Sequence, residues 1–194
     1  MAIAGLYDIF EHWHKQGTVW IISDTHFGDE EVRKIASNRP FDDELVKIIN
    51  SKVGKKDTLL ILGDVGNLEY AKKLKGYKIL IAGNHDTGLT NYKEIFNEVY
   101  SGALFIGEKL VLSHEPIDIP FALNLHGHNH SRNQKNDKNH FNVCCDVLPG
   151  YFPINFNQFM KAGPTAHIQT IHRDTINKAT KRKNKHSSKK NYKM

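Results

Sequence analysis

Three short apolar segments, each followed directly by a loop of polar residues, constrain the fold of this chain most strongly. The segments span residues 18–22, 57–62 and 79–82, and helical patterns separate them. They are apolar on both faces, which suits strands of a sheet that is covered on both sides. Alternating strands and helices indicate an α/β fold, and open α/β sheets place their functional sites at the carboxyl ends of the strands. We therefore expect a site in the loops that follow these segments.

Hydrophobic spacing and capping residues predict the remaining elements. Asp42 is expected to cap a helix whose buried stripe consists of Phe41, Leu45, Ile48 and Ile49. Asn91 and Glu94 resemble a capping box that opens a helix through residue 99. A helix should also begin near Asp29. Further helices are predicted at residues 6–15, 67–75 and 156–160, and further strands at residues 104–106, 109–112, 141–147 and 167–172.

Length and composition indicate one soluble domain, residues 1–177, of a chain of 194 residues with 39% hydrophobic residues. No apolar run approaches the roughly 20 residues that a membrane helix needs. The amino terminus is interrupted by Asp8 and Glu11 and does not match a secretory signal. Cys144 and Cys145 are adjacent and are not expected to bridge each other, so a cytoplasmic location without membrane attachment is expected.

The positive charge of the chain is concentrated at its carboxyl end. Residues 178–194 hold eight Lys or Arg and no acid, which leaves nineteen basic against twenty-one acidic residues in the rest of the chain. Such a tail attracts phosphate, so a nucleic-acid partner is one hypothesis. A disordered, solubilising tail is the alternative. The sequence leaves monomer and homodimer equally open.

The polar loops carry five groups of residues that can bind metal ions or exchange protons. In chain order these are Asp24, Thr25 and His26; Gly63 and Asp64; Gly83, Asn84, His85 and Asp86; Ser113 and His114; and Gly127, His128, Asn129 and His130. In an extended segment residues i and i+2 point the same way, so Asp24 and His26 can reach one ion together. Carboxylate, imidazole and amide ligands suit Mn²⁺, Fe or Zn²⁺.

Two other interpretations of single groups stay open at this point. Asp24 and His26 alone could form a capped turn before a helix. His128 and His130 alone could be a polar turn or part of an HNH-like nuclease motif, but that motif leaves Asp24 and Asp64 unexplained.

The order and spacing of the five groups resemble the pattern of the calcineurin-like metallophosphoesterases, from Trp20 to His130. The Arg-Pro-Phe sequence that begins at Arg39, and the Val-Cys-Cys-Asp-Val run at residues 143–147, resemble small bacterial and phage members. This resemblance implies a four-layer α/β/β/α sandwich in which two mixed sheets are flanked by helices.

The resemblance also implies two divalent metal ions, with Mn²⁺ expected and Fe, Zn²⁺ or Ni²⁺ as alternatives. The first ion would bind Asp24, His26, Asp64 and His130. The second would bind Asp64, Asn84, His114 and His128. Asp64 would bridge the two ions, and a bridging hydroxide would attack the phosphorus of the substrate. The positive charge that the two aspartates leave uncompensated favours an anionic substrate such as a phosphomonoester or phosphodiester.

In the same resemblance His85 is the general acid, and Asp86 is expected to hold the second ring nitrogen of His85. Two alternatives remain. One is a non-catalytic scaffold on the same fold, against which the intact His85 argues. The other is a nucleic-acid-directed phosphodiesterase that uses the basic tail. Close relatives often carry histidine where this chain has Asp29. His126 is expected to be a buried histidine outside the centre. Arg39 and Arg132 could contact substrate phosphate, although solvated arginines are more common.

Overall fold

The computed structural model describes residues 17–131 and 137–170. The predicted helix at residues 6–15, Arg132 and the basic tail at residues 178–194 lie outside the described residues. The division into a domain and a tail therefore stays a prediction.

The described residues form two sheets with helices around them. The strands are β1 (Val19–Ile22), β2 (Thr58–Ile61), β3 (Tyr77–Ile81), β4 (Glu98–Tyr100), β5 (Leu104–Ile106), β6 (Leu110–Leu112), β7 (Leu123–His126), β8 (His140–Asn142) and β9 (Ile154–Asn155). The helices are α1 (Glu30–Ile35), α2 (Asp42–Lys52), α3 (Leu68–Lys72), α4 (Leu89–Tyr92) and α5 (Phe156–Lys161), with a 3₁₀ turn at Pro149–Tyr151.

Both sheets are mixed. The first has the order β4-β3-β2-β1-β9, in which β9 alone runs antiparallel to its neighbour. The second has the order β5-β6-β7-β8, in which β5 and β6 are antiparallel and the other pairs are parallel. Two mixed sheets flanked by helices confirm the α/β sandwich expected from the sequence.

The central strands of the first sheet are apolar on both faces because each face packs on another layer. Ile21, Leu60 and Ile79 pack with Leu112 and Leu125 of the second sheet in a core between the sheets. The opposite faces of β1, β2 and β3 pack against α2 and α3. This double burial explains why these strands show no alternation of apolar and polar residues.

The two sheets are joined at the edge where the polar loops begin. Ser23 follows β1, and its amide donates to the carbonyl oxygen of Val143 at 2.9 Å. Its own carbonyl oxygen accepts from the amide of Cys145 at 2.9 Å. The carboxyl ends of the first sheet and the segment after β8 in the second sheet therefore meet at one edge of the molecule.

The predicted buried stripe of α2 is wrong at its first member. Phe41 is 70% exposed, and the guanidinium carbon of Arg33 lies 4.9 Å from the centre of its ring. The buried residues of α2 are Leu45, Val46 and Ile49. Phe41 precedes the first helical turn in an extended conformation, which turns its ring away from the core.

The predicted helix at residues 91–99 is also wrong. Helix α4 begins after Gly88 and ends at Tyr92, and Glu98–Tyr100 form β4, which pairs with β3 in parallel register. The capping pattern of Asn91 and Glu94 is local, whereas strand pairing satisfies a whole row of backbone groups, so the tertiary contact prevails.

Three further elements differ from the sequence prediction. The strand expected at residues 141–147 ends at Asn142. The described part of the segment at residues 167–172, up to Thr170, contains no strand. Strand β9, which pairs with β1, was not predicted. In the part of the chain that the structure describes, none of the helices has the length and apolar character needed to cross a membrane.

Candidate metal centre

The five polar groups converge at the edge where the sheets meet. Asp24 and His26 follow β1, Asp64 follows β2, Asn84 and His85 follow β3, His114 follows β6, and His128 and His130 follow β7. Six of these residues, together with Cys144, offer donor atoms that form three groups in the described part of the chain, each with all atoms within 4.8 Å of one another: Asp24, His26 and Asp64; Asp64, His114 and His128; and Asp24, His130 and Cys144. Asp64 belongs to two of these groups, so its carboxylate lies between two sets of donors.

Four residues of the centre have the left-handed backbone that side chains rarely adopt. The φ angles are 59° at Asp24, 37° at His26, 54° at Asp64 and 66° at His128. Such conformations are costly for residues other than glycine, and they cluster at functional sites. The surrounding structure therefore holds these loops in a strained shape that turns their side chains toward one another.

Two glycines let neighbouring loops approach within contact distance. A Cβ at Gly83 would lie 2.2 Å from Oδ1 of Asp64, and a Cβ at Gly127 would lie 2.3 Å from Oδ2 of Asp24. The amide of His128 donates to the Asp24 carboxylate at 3.0 Å. Any larger residue at these glycines would push the loops apart.

His26 presents an unpaired nitrogen to the centre. Its Nδ1 lies 3.2 Å from Oδ2 of Asp29, and a carboxylate only accepts, so Nδ1 carries the proton. Within the described part of the chain, Nε2 is buried without a hydrogen bond and lies 3.4 Å from Oδ2 of Asp64. A buried nitrogen beside a carboxylate is a place where a cation fits. Asp29, where relatives often carry histidine, thus orients His26 and also caps α1 through the amides of Glu31 and Val32.

His114 also approaches Oδ2 of Asp64, but its Nε2 has a further hydrogen-bond partner. Its Nδ1 lies 2.9 Å from the carbonyl oxygen of Leu62, while Nε2 lies 2.8 Å from Oδ1 of Asn84 and 3.2 Å from Oδ2 of Asp64. Burial acts to lower the pKa of His114, but Asp64 and the charge of Asp24 raise that pKa to about 9. Nε2 of His114 thus carries a proton between oxygen atoms of Asn84 and Asp64. A metal ion could take the place of that proton.

Asp64 is ionised in this setting. Burial acts to raise the pKa of Asp64, but the neighbouring rings of His114 and His26 and the amide of His85 hold it well below its usual range. The other carboxylate, Asp24, is fully buried, and burial raises its pKa. A cation beside Asp24 would offset that cost of burial.

Cys144 lies close to Asp24 and His130 but is a poorer donor. The hydrogen bond with Cys145 and burial raise the pKa of the Cys144 thiol well above its usual range. Metal ions bind the thiolate and not the thiol. Asp24 and His130 are therefore the stronger donors of this group.

Asp86 bonds the loops of the centre to each other. Its Oδ2 accepts from the amides of Gly83 and Asp64, each at 2.8 Å. Its Oδ1 accepts from the amide of Val65 at 3.0 Å and from the hydroxyl of Tyr92 at 3.1 Å. The loop after β3 is thereby fixed to the loop after β2.

The expected bond between Asp86 and the ring of His85 is wrong. Both carboxylate oxygens of Asp86 are taken by the donors just described, because its side chain points back into the loops. His85 is exposed, its amide donates to Oδ1 of Asp64 at 2.9 Å, and its ring centre lies 5.3 Å from that of His26. Its ring therefore stands beside the centre without a carboxylate partner from Asp86.

Replacing Asp86 with Ala is expected to destabilise the protein by about 3 kcal/mol or more, since each buried donor left unsatisfied costs about 1–3 kcal/mol. Tyr92→Phe, which removes one of the four donors, should cost about 1 kcal/mol. Denaturant unfolding of both variants, with the exposed Asp43→Ala as control, measures this. Equal stability of Asp86→Ala and the control would show that these hydrogen bonds do not hold the loops.

Arg39 and Asp146 form a buried ion pair that was not predicted from the sequence. Arg39 is buried, which contradicts both a solvated arginine and a contact with substrate, and it pairs with Asp146. Arg39 and Asp146 lie in the Arg-Pro-Phe and Val-Cys-Cys-Asp-Val sequences, but neither sequence indicates that the two residues pair. His126 is buried as expected, with Nδ1 2.8 Å from the carbonyl oxygen of Gly127, and burial lowers its pKa.

Known proteins show similarity to this chain at the level of family, sequence and fold. Gene 66 protein of Mycobacterium phage L5 is 38% identical over 80 residues, which span 34% of this chain and 39% of the phage protein. The crystal structure of AQ665 from Aquifex aeolicus, a protein of unknown function, superposes with a TM-score of 0.63 at 26% identity. That alignment covers 75% of this chain and 99% of the other.

The family match covers the whole centre. A family model for the calcineurin-like phosphoesterases matches residues 17–163, a range that includes all five polar groups. Since this range is most of the chain, the protein belongs to the calcineurin-like phosphoesterase family.

Proposed function

We propose that this protein hydrolyses phosphomonoesters or phosphodiesters with the help of two divalent metal ions, of which Mn²⁺ is the expected one. The observation that carries the proposal is the position of the Asp64 carboxylate between two sets of nitrogen donors. Nε2 of His26 lies 3.4 Å and Nε2 of His114 lies 3.2 Å from the same oxygen, Oδ2.

The residues divide into two sets around Asp64. Asp24, His26 and His130 would hold one ion together with Asp64, and Asn84, His114 and His128 would hold the other. Bound divalent ions supply positive charge for the phosphoryl oxygens and lower the pKa of a coordinated water. Asp29 and the carbonyl oxygen of Leu62 hold Nδ1 of His26 and of His114, so Nε2 of each ring faces Asp64.

His85 would act on the leaving group of the ester. Its ring is exposed at the rim, beside His26 but outside the three donor groups. It can therefore donate a proton to the oxygen that leaves the phosphorus without giving up a metal contact. The hydrogen bond of its amide to Asp64 fixes the position of its backbone.

A cavity next to His130 offers room for the organic part of an ester. It has a volume of about 310 Å³, and its lining includes Val32, Ile35, Ser37, Asn38 and Tyr151. Both apolar and polar side chains line this space.

The test is to remove metal with a chelator, add back Mn²⁺, Fe²⁺, Zn²⁺ or Ni²⁺, and measure hydrolysis of aryl phosphomonoesters and phosphodiesters together with metal content. We expect no activity without metal, two Mn²⁺ per chain after reconstitution, and restored turnover. Undiminished turnover by the metal-free protein would contradict the proposal. Two bound ions without hydrolysis of any ester would favour the non-catalytic scaffold.

The cytoplasmic location stays a prediction. The nucleic-acid partner, which was expected from the basic tail, also stays a prediction.

A further inference from the structure

We propose that Arg39 and Asp146 are positioning residues that hold His130 and the Asp24 loop in the geometry needed to bind a metal ion. This inference rests on the proposed metal-binding role of His130. No feature of the sequence assigned either residue to that task.

The first observation is a buried ion pair that also binds the backbone of the centre. Nη1 of Arg39 donates to Oδ2 of Asp146 at 2.6 Å, and the two side chains are only 2% and 4% exposed. Nη2 of Arg39 donates to the carbonyl oxygens of Asp24, at 2.8 Å, and of Thr25. One guanidinium therefore joins Asp146 to the loop that carries Asp24 and His26.

The second observation is the contact between Asp146 and His130. Nδ1 of His130 lies 2.7 Å from Oδ2 of Asp146, the same oxygen that accepts from Arg39. A carboxylate only accepts, so Nδ1 carries a proton, and Nε2 is the nitrogen left to bind a metal ion. Nε2 lies 3.6 Å from Oδ1 of Asp24. Asp146 thus sets both the tautomer and the direction of the nitrogen that faces the centre, as partners of metal-binding histidines commonly do.

The third observation concerns what this arrangement does for the loop. The backbone at Asp24 and His26 is left-handed, so it needs support from its surroundings. The guanidinium of Arg39 gives that support through two carbonyl oxygens. A buried ion pair by itself adds little net stability. The Arg39–Asp146 pair contacts the ring of His130 and the backbone of Asp24, so we infer that its role is to position these two residues.

Cys144 provides a weaker competing partner. Its Sγ lies 3.6 Å from Nδ1 of His130, and a thiol is a poor acceptor compared with a carboxylate. Without Asp146, Cys144 is the partner that remains for Nδ1 of His130 among the described residues. We then expect the imidazole to exchange tautomers and to turn Nε2 away from Asp24.

Asp146→Asn is the first variant, with Asp43→Asn on the exposed face of α2 as the matched control. In metal-free protein, NMR of ¹⁵N-labelled histidines should show His130 protonated at Nδ1 in the wild type and in the control, and a mixture of tautomers in Asp146→Asn. In a Mn²⁺ titration, Asp146→Asn should bind one of the two ions about 10–100-fold more weakly and the other unchanged.

A double-mutant cycle decides whether Asp146 acts through His130. In a His130→Ala background, Asp146→Asn should cause no further loss of Mn²⁺ affinity. An equal loss in both backgrounds, or a lower melting temperature with unchanged tautomer and affinity, would overturn the inference. Should Asp146→Asn fail to fold, Arg39→Lys keeps the charge pair but loses the second nitrogen. It should weaken the same ion selectively, and unchanged affinity would overturn the inference.

Failure of the proposed function gives a different result. If the wild type binds no metal, the metal-binding role of His130 is wrong. If the wild type binds two ions and the Asp146 and Arg39 variants bind them equally well, the metal centre stands and the positioning role is wrong.

Discussion

Replacing Asp64 with Asn is expected to reduce phosphate ester hydrolysis to the background rate and to impair the binding of both metal ions together. Oδ2 of Asp64 lies within 3.4 Å of the inward nitrogens of both His26 and His114, so this one side chain serves both sets of donors. The carboxamide has no charge, and it offers one acceptor oxygen where the carboxylate offers two. An uncharged side chain there would leave the two proposed cations without a shared carboxylate.

The measurement is turnover of an aryl phosphate ester, with metal content determined on the same sample. Asp43→Asn, which changes an exposed aspartate of α2, is the control for the loss of one negative charge. Circular dichroism and thermal unfolding establish that the Asp64 variant is folded. Full turnover, or two tightly bound ions in Asp64→Asn, would contradict a shared carboxylate.

His85→Asn is expected to keep both metal ions and to lose about 10²–10⁴-fold in rate on esters with poor leaving groups. The ring of His85 is exposed and lies outside the donor groups, so its loss should not disturb metal binding. Aryl esters, whose leaving groups need little protonation, should lose less. The backbone hydrogen bond from residue 85 to Asp64 does not depend on the side chain and should persist.

The ratio of rates on alkyl and aryl esters is the decisive measurement, because it isolates proton donation from metal binding. His167→Asn, an exposed histidine far along the chain, controls for the loss of an imidazole. If the metal content of His85→Asn falls in step with its activity, His85 is a ligand. If alkyl and aryl esters lose rate equally, it is not the proton donor.

The helix at residues 91–99 and the ring of Phe41 show where local patterns mislead. Both predictions used spacing over a few residues. Strand β4 forms because its backbone completes the edge next to β3, a partner that precedes it by almost twenty residues. The ring of Phe41 is exposed and packs against the guanidinium of Arg33 because the chain is extended at Phe41. Neither partner can be read from the segment itself.

The α/β class and the loops that carry the candidate metal centre could be predicted from the sequence. Strands that are apolar on both faces must lie inside a covered sheet, and parallel strands bring the loops at their carboxyl ends to one edge. Asp24, His26, Asp64, Asn84, His114, His128 and His130 meet there for that reason. This part of the structure follows from the position of each residue at the end of its strand.

The hydrogen bonds that hold these side chains in place could not be predicted and depend on the tertiary structure. Asp86 bonds backbone amides instead of His85, and Arg39 reaches Asp146 across 107 residues of chain. The oxygens of a buried carboxylate need hydrogen-bond donors, and here those donors belong to other loops. Their identity depends on distances between segments that no local pattern contains.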